Sequence, residues 1–350
     1  MELLSVTMND GVKPRSEIEG KDNSSEDKSN YKIVRKGDMV YNSMRMWQGA
    51  NGISPCDGIV SPAYTVLMPK QEINNGYFAA LFKSANLINE FRKNSQGMTS
   101  DTWNLKYPQI ETIKVQIPSV SEQDKVSELF GVVDARIVAQ AQLIEALKKY
   151  KRGVNNQILS QIDNSYNCRL GSVCEIVGGG TPDTLHTEYW GNTVEWFTPS
   201  EIGKTKYVNN SVRKLSDIGL DNSSAKLLPI GTVLLTTRAT LGEMSIAKRE
   251  CSTNQGFQSL IPHTDRVSSE YLYYMQIIIK PWCEKYASGN TFREISKSAL
   301  SDCIIPIPDR ARQEQIVKLL SSIDMLIGAA ESISMSLSKI RHGLMQQLFI

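Results

Sequence analysis

Two short turn segments combine the residue types that recognise nucleic-acid bases. They are NSMRMWQG at positions 42–49 and TTRATLGE at positions 236–243. Their candidate side chains are Arg45, Trp47 and Gln48 in the first segment, and Arg238 and Thr240 in the second. Arginine pairs with a guanine edge through two hydrogen bonds, glutamine pairs with adenine, and apolar groups contact the thymine methyl. We interpret these residues as candidate base or phosphate contacts, with simple surface solvation as the alternative for the polar groups.

Further polar candidates lie in three loops of the C-terminal half. They are Lys204, Lys206, Asn254, Gln255, Thr291 and Arg293. The two amides match an adenine edge, but capping a strand is the slightly favoured alternative for them. The lysines, the arginine and the threonine suit phosphate oxygens, which position a protein on DNA without reading its sequence.

Composition sets bounds on other kinds of chemistry. The 350 residues carry a net charge of +2, so a positive surface for nucleic acid would have to be local. Six cysteines occur without a CxxC pair, and there are three histidines, so we expect no structural zinc, no disulfide and no cofactor. No Asn/Asp-Pro-Pro-aromatic tetrapeptide supports methyl transfer to an amino group. No apolar run is long enough to span a membrane, and we expect a cytoplasmic protein.

The elements that would position these residues occur twice. Residues 117–159 align with residues 307–349 without a gap at an offset of 190. The identical pairs include Ile117/Ile307, Pro118/Pro308, Gln123/Gln313, Leu129/Leu319, Asp134/Asp324, Ile137/Ile327, Leu147/Leu337, Lys149/Lys339, Gly153/Gly343 and Gln157/Gln347. The segments that precede them also correspond, but more weakly. Within these segments, residues 34–69 are similar to residues 228–262. An internal duplication therefore organises the chain.

Each repeated segment has apolar residues at alternating spacings of four and three, which is typical of a coiled-coil seam. The seam residues are Val126, Phe130, Val133, Ile137, Ile144 and Leu147 in the first copy, and Ile316, Leu320, Ile323, Ile327, Leu337 and Leu344 in the second. A helix over residues 121–159 would be roughly 58 Å long. We favour an antiparallel two-helix coiled coil over ordinary amphipathic helices packed on a globular core, because the seam recurs and is long.

The resulting prediction is an α+β protein with four segments. Two homologous globular domains of mixed α/β type occupy residues 1–116 and 161–306. Each is followed by a long spacer helix, at 117–160 and 307–350 respectively. Two similar heads held apart by antiparallel helices would suit a target of roughly twofold symmetry, of which duplex DNA is the commonest.

This order resembles the specificity (S) subunit of type I restriction-modification systems. The fragments that carry the resemblance are YKIVRKGDMVYNSMRMWQGANGISPCDGIVSPAYTVL, GGGTPDTLHTEYWGNTVEWFTPSEI, TNQGFQSL and the two helix starts after Pro118 and Pro308. The resemblance implies two target-recognition domains that read a split double-stranded DNA site. It also implies that the helices dock two modification (methyltransferase) subunits, that a restriction/translocase subunit joins them, and that this chain is not catalytic. Gly180 and Thr181, in VGGGTPDT, become candidate DNA contacts because the family has a similar Gly-Thr-Pro element; a tight turn is the alternative.

The first globular segment departs from the family pattern. About 27 residues that precede Gly231 in the second segment have no counterpart before Gly37, including any GGGTP element. We interpret the first recognition domain as truncated at its N-terminus, as having a misassigned start, or as part of a gene fragment. The alternative function is an assembly module that binds methyltransferase subunits through its helices without reading DNA.

Overall fold

The computed structural model describes residues 1–8, 11–22, 24–100, 102–163, 166–289 and 293–349. The chain divides into two compact units. Unit 1 comprises Met1–Ile144 and Ala329–Ile350, and unit 2 comprises Glu145–Gly328. Each unit therefore contains one globular part and portions of both long helices.

Unit 1 begins with seven strands and three short helices. They are β1 (Glu2–Thr7), β2 (Gly11–Pro14), β3 (Lys32–Val34), β4 (Met39–Asn42), β5 (Asn51–Ile53), β6 (Gly58–Val60), β7 (Tyr64–Leu67), α1 (Asn75–Leu81), α2 (Ala85–Asn94) and α3 (Tyr107–Ile110). A four-stranded sheet has the order β2-β1-β6-β3, and a three-stranded sheet has the order β5-β4-β7. The four-stranded sheet packs on valines and a leucine, while the three-stranded sheet faces the aromatic residues of α1 and α2.

Unit 2 has more strands. They are β8 (Asn167–Arg169), β9 (Cys174–Gly178), β10 (Trp190–Gly191), β11 (Val194–Phe197), β12 (Tyr207–Val208), β13 (Arg213–Leu215), β14 (Val233–Leu235), β15 (Met244–Ala247), β16 (Cys251–Thr253), β17 (Gln258–Pro262) and β18 (Ile304–Pro306). The sheets have the orders β10-β13-β11-β16, β12-β15-β14-β17-β9 and β18-β8. The helices are α5 (Asp217–Asp221), α6 (Ser269–Tyr274), α7 (Gln276–Tyr286) and α8 (Lys297–Ser301).

The two long helices are α4 (Val120–Gln161) and α9 (Arg310–Leu348), with 42 and 39 residues. At 1.5 Å per residue they are about 63 and 58 Å long. In unit 1, the α4 residues Phe130, Asp134 and Gln140 contact Phe349, Arg341 and Ala330, in that order. Because one series rises as the other falls, the helices are antiparallel there. All twelve predicted seam residues are buried or half-buried.

Each long helix begins in the same way. Gln123 Nε2 donates to the Pro118 carbonyl, and its Oε1 accepts the backbone N–H of Asn74, both at 2.9 Å. The equivalent Gln313 donates to the carbonyls of Pro308 and Arg266 and accepts from the Ser268 N–H at 3.1 Å. Since both glutamines are buried, these bonds satisfy groups that would otherwise be costly to bury, and they fix the helix start to its globular part.

The two globular parts share a plan. In unit 1, β1 is parallel to β6 and antiparallel to β2; in unit 2, β11 is parallel to β16 and antiparallel to β13. The β5-β4-β7 sheet matches the central β15-β14-β17 strands. The described residues of unit 1 contain no counterpart of the flanking strands β12 and β9. The predicted mixed α/β fold, with two globular parts and two long helices, is confirmed.

Candidate nucleic-acid interface

The turn between β14 and β15 presents Arg238 at the surface of unit 2. The Thr237 N–H donates to the Gly256 carbonyl at 2.7 Å, and the Thr236 hydroxyl donates to the Thr240 carbonyl, which closes the turn. Ala239 has φ of 57°, a left-handed conformation that non-glycine residues adopt mainly in tight turns. The Arg238 guanidinium forms a 2.8 Å ion pair with Glu294 from a neighbouring loop. The pair orients Arg238 while leaving about half of its side chain exposed.

The loop after β16 lies beside this turn, because Gly256 is bonded to Thr237. Asn254 Oδ1 accepts the Gly256 N–H at 2.9 Å, so this side chain forms a turn within its own loop. Gln255 is exposed, and its Oε1 accepts a 2.5 Å hydrogen bond from the Thr181 hydroxyl. The structure therefore brings Thr181, Asn254 and Gln255 next to the Arg238 turn.

Gly180 is buried, and packing explains why a glycine is needed there. Its N–H donates to the Thr253 carbonyl at 2.8 Å, and its carbonyl accepts from Trp196 Nε1 at 3.0 Å. A Cβ at this position would lie 2.3 Å from the Ser224 hydroxyl oxygen. Both backbone groups of Gly180 thus bond inside unit 2, and its proposed contact with DNA stays a prediction.

Thr240 and Arg293 border the same surface. The Thr240 hydroxyl lies 3.4 Å from the Pro199 carbonyl, and the Pro199 ring packs against Gly256. Arg293 precedes Glu294, but its guanidinium donates to the Glu284 carbonyl at 2.5 Å, at the end of α7. We call Thr181, Arg238, Thr240, Asn254, Gln255 and Arg293 the second loop cluster. Thr291 lies outside the described residues.

The two predicted lysines differ in environment. Lys204 is exposed in the loop before β12. Lys206 instead points inward: its Nζ contacts the hydroxyls of Tyr274 at 3.3 Å and Ser321 at 3.1 Å, and it lies 4.6 Å from the centre of the Tyr274 ring. Burial lowers the pKa of Lys206, and the nearby carboxylates of Glu270 and Asp324 oppose that shift. Lys206 therefore joins β12 to helix α9, in place of the phosphate-binding role expected from the sequence.

The equivalent turn in unit 1 lies between β4 and β5. Arg45 is exposed at the start of a short 3₁₀ helix, Met46–Gln48, and the left-handed Gly49 ends it. Trp47 packs edge-on against Trp103, with ring centres 5.1 Å apart, and the Arg92 guanidinium lies 5.8 Å from the Trp47 ring. We call Arg45, Trp47 and Gln48 the first turn. The roles of Trp103 and Arg92 as its support could not be read from spacing alone.

The long helices also expose apolar side chains at heptad spacing, which the predicted buried seam does not include. In α9 these are Leu319, Leu326, Ile333 and Ile340, and in α4 they are Leu129, Leu143 and Tyr150. Six of these seven residues form three pairs at equivalent positions of the two repeats, namely Leu129/Leu319, Leu143/Ile333 and Tyr150/Ile340. We call them the outer stripes. Exposed apolar residues in a regular row are typical of protein-binding surfaces.

Metal ligands, membrane spans and thiols were each considered among the residues that the structure describes. No group of three or more His, Cys, Asp or Glu residues there could hold a metal ion. No described helix is both long and apolar enough to cross a membrane. Burial raises the pKa values of the Cys174, Cys251, Cys283 and Cys303 thiols to about 12. These thiols remain protonated near neutral pH, which makes them poor nucleophiles.

Comparisons with known proteins agree on one family. A family model described as type I restriction modification DNA specificity domain matches residues 5–149 and 163–335. The MjaIX specificity subunit of Methanocaldococcus jannaschii is 35% identical over 186 residues, which are 52% of this chain and 43% of that protein. The EcoR124I/EcoR124II specificity subunit of Escherichia coli is 26% identical over 231 residues, 61% of this chain and 56% of its own length. The match thus spans about half the length of these curated relatives.

Solved structures show the same fold. A chain from a study of complex assembly and conformational transition of the type I R-M system has a TM-score of 0.61 at 21% identity, covering 93% of this chain and 84% of its own length. The S subunit from M. genitalium has a TM-score of 0.57 at 15% identity, with 91% and 84% covered. At these identities the likeness concerns the fold alone.

Proposed function

Because the chain belongs to the type I restriction modification DNA specificity domain family, we propose that it is the DNA sequence-recognition subunit of a restriction-modification complex. It would select the site on double-stranded DNA, while other subunits carry the methyltransferase and endonuclease chemistry. It would therefore not be an enzyme by itself.

The observation that carries this proposal is the pair of equivalent turns. Each unit presents an exposed arginine, Arg45 or Arg238, at the turn that follows the central strand of its sheet. Arginine contacts guanine or phosphate through two parallel hydrogen bonds, which require an oriented guanidinium. The ion pair with Glu294 supplies that orientation for Arg238. The neighbouring Gln255 and Thr181 add hydrogen-bonding groups suited to base edges.

We propose further that the target consists of two short half-sites separated by bases that are not read. The support is that the candidate contacts occur in two separate units and that a long helix follows each globular part. A helix of about 60 Å exceeds one turn of DNA, which is about 34–36 Å. A continuous short target would not need such a spacer.

The outer stripes support docking of two modification subunits. Equivalent apolar residues recur in both repeats, so the same partner surface would find two similar binding sites. Burying a leucine that is now exposed contributes roughly 1.5–3 kcal/mol, so a few such residues would hold a partner helix. A restriction/translocase subunit would join through these modification subunits.

The test maps DNA methylation in a methylation-free host. The host co-expresses this chain with the modification (methyltransferase) subunit of the same system. We expect a split motif. Arg238→Ala should abolish or relax methylation at one half-site, and Arg45→Ala should affect the other half. Leu319→Glu should reduce copurification of the modification subunit. The matched control is Lys339→Glu, a charge change at an exposed position of α9 outside the stripe.

The outcomes separate the proposed roles. A motif unchanged by both arginine variants would overturn their assignment as contacts. Copurification without methylation would favour the assembly module that binds methyltransferase subunits without reading DNA. The absence of both copurification and methylation would contradict the proposed function as a whole.

A further inference from the structure

One exposed arginine of unit 2 lies flat on a tryptophan ring. The guanidinium carbon of Arg213 is 3.4 Å from the centre of the Trp190 ring and 5.7 Å from that of Trp196. A separation of 3.4 Å leaves room only for a nearly parallel arrangement, because a strong tilt would make the two planar groups overlap. Stacking covers one face of the guanidinium and fixes its orientation, while the in-plane N–H donors point away from the ring.

The donors of Arg213 are not used within the part of unit 2 that the structure describes. No described residue accepts a hydrogen bond from its guanidinium or forms an ion pair with it. By contrast, Arg238 forms an ion pair with Glu294, and Arg293 donates to the carbonyl of Glu284. Arg213 is thus an oriented cation whose donors can bind a group from outside the chain.

The strand order places Arg213 at the same edge of its sheet as the second loop cluster. The parallel strands β11 and β16 both leave the sheet at that edge, and β16 runs directly into Asn254 and Gln255. Strand β13 is antiparallel to β11 and enters the sheet there, with Arg213 as its first residue. Arg213 pairs with Trp196, which pairs with Ser252, so about 10 Å separates the backbones of Arg213 and β16.

The same two tryptophans hold the loop that carries Thr181. Trp196 Nε1 donates to the Gly180 carbonyl at 3.0 Å, and Trp190 Nε1 donates to the Asp183 carbonyl at 3.4 Å. Thr181 lies between these two bonded residues. The stacked arginine and this loop therefore share one aromatic support, on the side of unit 2 that carries the second loop cluster.

We propose that Arg213 is a further DNA contact of unit 2, whose guanidinium donates two parallel hydrogen bonds to adjacent acceptor atoms of the duplex. This inference rests on the proposed function in DNA recognition. Two sources offer such a pair of acceptors, namely two oxygens of one phosphate, or O6 and N7 of a guanine. Trp190 is a positioning residue. Stacking on its ring selects one orientation in advance, so less side-chain entropy is lost when the contact forms.

The test uses the full chain, copurified with the modification subunit of the same system, and four variants. Arg213→Ala removes the donors and the apolar stem, whereas Arg213→Met removes the donors but keeps a stem that covers the tryptophans. Arg213→Lys keeps the charge but loses the planar fork. The matched control is Arg249→Ala. Arg249 is exposed and precedes the amino end of β16, so this variant removes the same charge at the opposite edge of the sheet.

Fluorescence anisotropy would measure the affinity of each complex for two labelled duplexes, one with the methylated motif and one of random sequence, at several salt concentrations. Arg213→Ala and Arg213→Met should weaken binding of the motif duplex by about tenfold, Arg213→Lys by less, and Arg249→Ala by less than about twofold.

The two sources of acceptors give different patterns. A phosphate contact predicts the same loss on both duplexes, a lower salt dependence and an unchanged methylation motif. A guanine contact predicts a loss confined to the motif duplex and a relaxed base at one position of one half-site.

Three results would overturn the proposal. One is an affinity and a motif that no Arg213 variant changes. Another is an equal loss in Arg213→Ala and Arg249→Ala, which would mean a general effect of charge. The third is a loss in Arg213→Ala beside parent-like affinity of Arg213→Met, which would mean that the arginine only covers Trp190.

The parent complex tests the proposed function separately. If it binds DNA but methylates no split motif, the proposed function is contradicted, while the variants on the random-sequence duplex still decide whether Arg213 contacts DNA. The absence of any DNA binding by the parent complex would overturn both proposals.

Discussion

The globular parts of unit 1 and unit 2 use the same central strands but protect them to different extents. In unit 2 the sheet has five strands, and its central strand β14 is fully buried. In unit 1 the sheet has three strands, and β7 at its edge is only partly buried throughout. In both units the turn that carries the candidate contacts lies in the central hairpin, which is β5-β4 in unit 1 and β15-β14 in unit 2. The flanking strands serve to bury the sheet.

The four-stranded sheets, β2-β1-β6-β3 in unit 1 and β10-β13-β11-β16 in unit 2, differ in the chemistry of their interiors. In unit 1, Leu4, Val12 and Val60 form an apolar core. In unit 2, Glu195 is buried in β11, where its carboxylate forms a 2.7 Å ion pair with Lys214 and accepts from the Ser211 N–H and hydroxyl. Unit 2 therefore depends on a buried charge that has no role in the unit 1 core.

The largest expected effect concerns the two main sheets, β5-β4-β7 of unit 1 and β12-β15-β14-β17-β9 of unit 2. Leu260→Ala would leave a cavity in a fully enclosed strand and should lower the free energy of unfolding of unit 2 by roughly 2–5 kcal/mol. The equivalent Leu67→Ala should cost unit 1 about 1 kcal/mol, since Leu67 is only partly buried. Native-state hydrogen exchange in β14 and β4 would measure both. Equal costs would show that β7 is covered in solution.

The next effect is a pH dependence of stability in the four-stranded sheet β10-β13-β11-β16 of unit 2. Burial alone would raise the pKa of Glu195, but hydrogen bonds from Lys214 and Ser211 outweigh burial and hold it below the usual 4.5. The ionised side chain therefore stabilises the folded state above pH 4.5, and this contribution is lost as pH falls through the folded pKa. Glu195→Gln should cost about 1–3 kcal/mol at pH 7.

Thermal melts of the parent chain and Glu195→Gln from pH 7 to pH 3 would check this expectation. The two curves should converge at the acid end. A difference that stays constant across the range would show that Glu195 acts through packing rather than charge. Glu175→Gln, at an exposed position of β9, is the control and should change little at any pH.

The smallest expected effect compares equivalent ion pairs along the helices. In unit 1, Asp134 binds Arg341 through two contacts of 2.5 and 3.2 Å. In unit 2, Asp324 pairs with Lys151 at 2.5 Å and also accepts from the Tyr274 hydroxyl at 2.8 Å. Asp324 is the less exposed carboxylate. Asp324→Asn should therefore cost about 1–2 kcal/mol, and Asp134→Asn at most about 1 kcal/mol.

Urea unfolding at low and high salt would measure both variants. The Asp134→Asn cost should shrink as salt rises, because exposed pairs are screened. The Asp324→Asn cost should persist. The reverse order of costs would contradict the view that Tyr274 strengthens the unit 2 pair.

Periodicity and repetition made the helices and the mixed α/β class predictable from sequence. The seam residues from Val126 to Leu344 follow a heptad pattern that survives folding because a helix places every third or fourth residue on one face. The Gln123/Gln313 identity was also visible, but its bonding to the globular part was not. That bonding depends on loops far away in sequence.

The candidate site was only partly predictable. Arg238 and Gln255 are neighbours because β14 and β17 pair, and sequence spacing does not reveal such contacts between distant segments. Lys206 looked like a surface cation, yet three tyrosine rings and α9 surround it. Burial of a lysine depends on what packs over it, and a single sequence does not contain that information. The boundaries proposed for the recognition domains stay predictions.

The cross-pairing of aspartate and cation has a consequence for the history of the gene. In unit 1 the aspartate belongs to the first repeat and the cation to the second, whereas in unit 2 the assignment is reversed. Each repeat thus carries both partners, Asp134 with Lys151 or Asp324 with Arg341. An ancestor with one repeat would have been able to form both ion pairs by associating with an identical copy. Duplication and fusion would then have joined two chains that already fitted, after which the two halves were free to diverge in sequence.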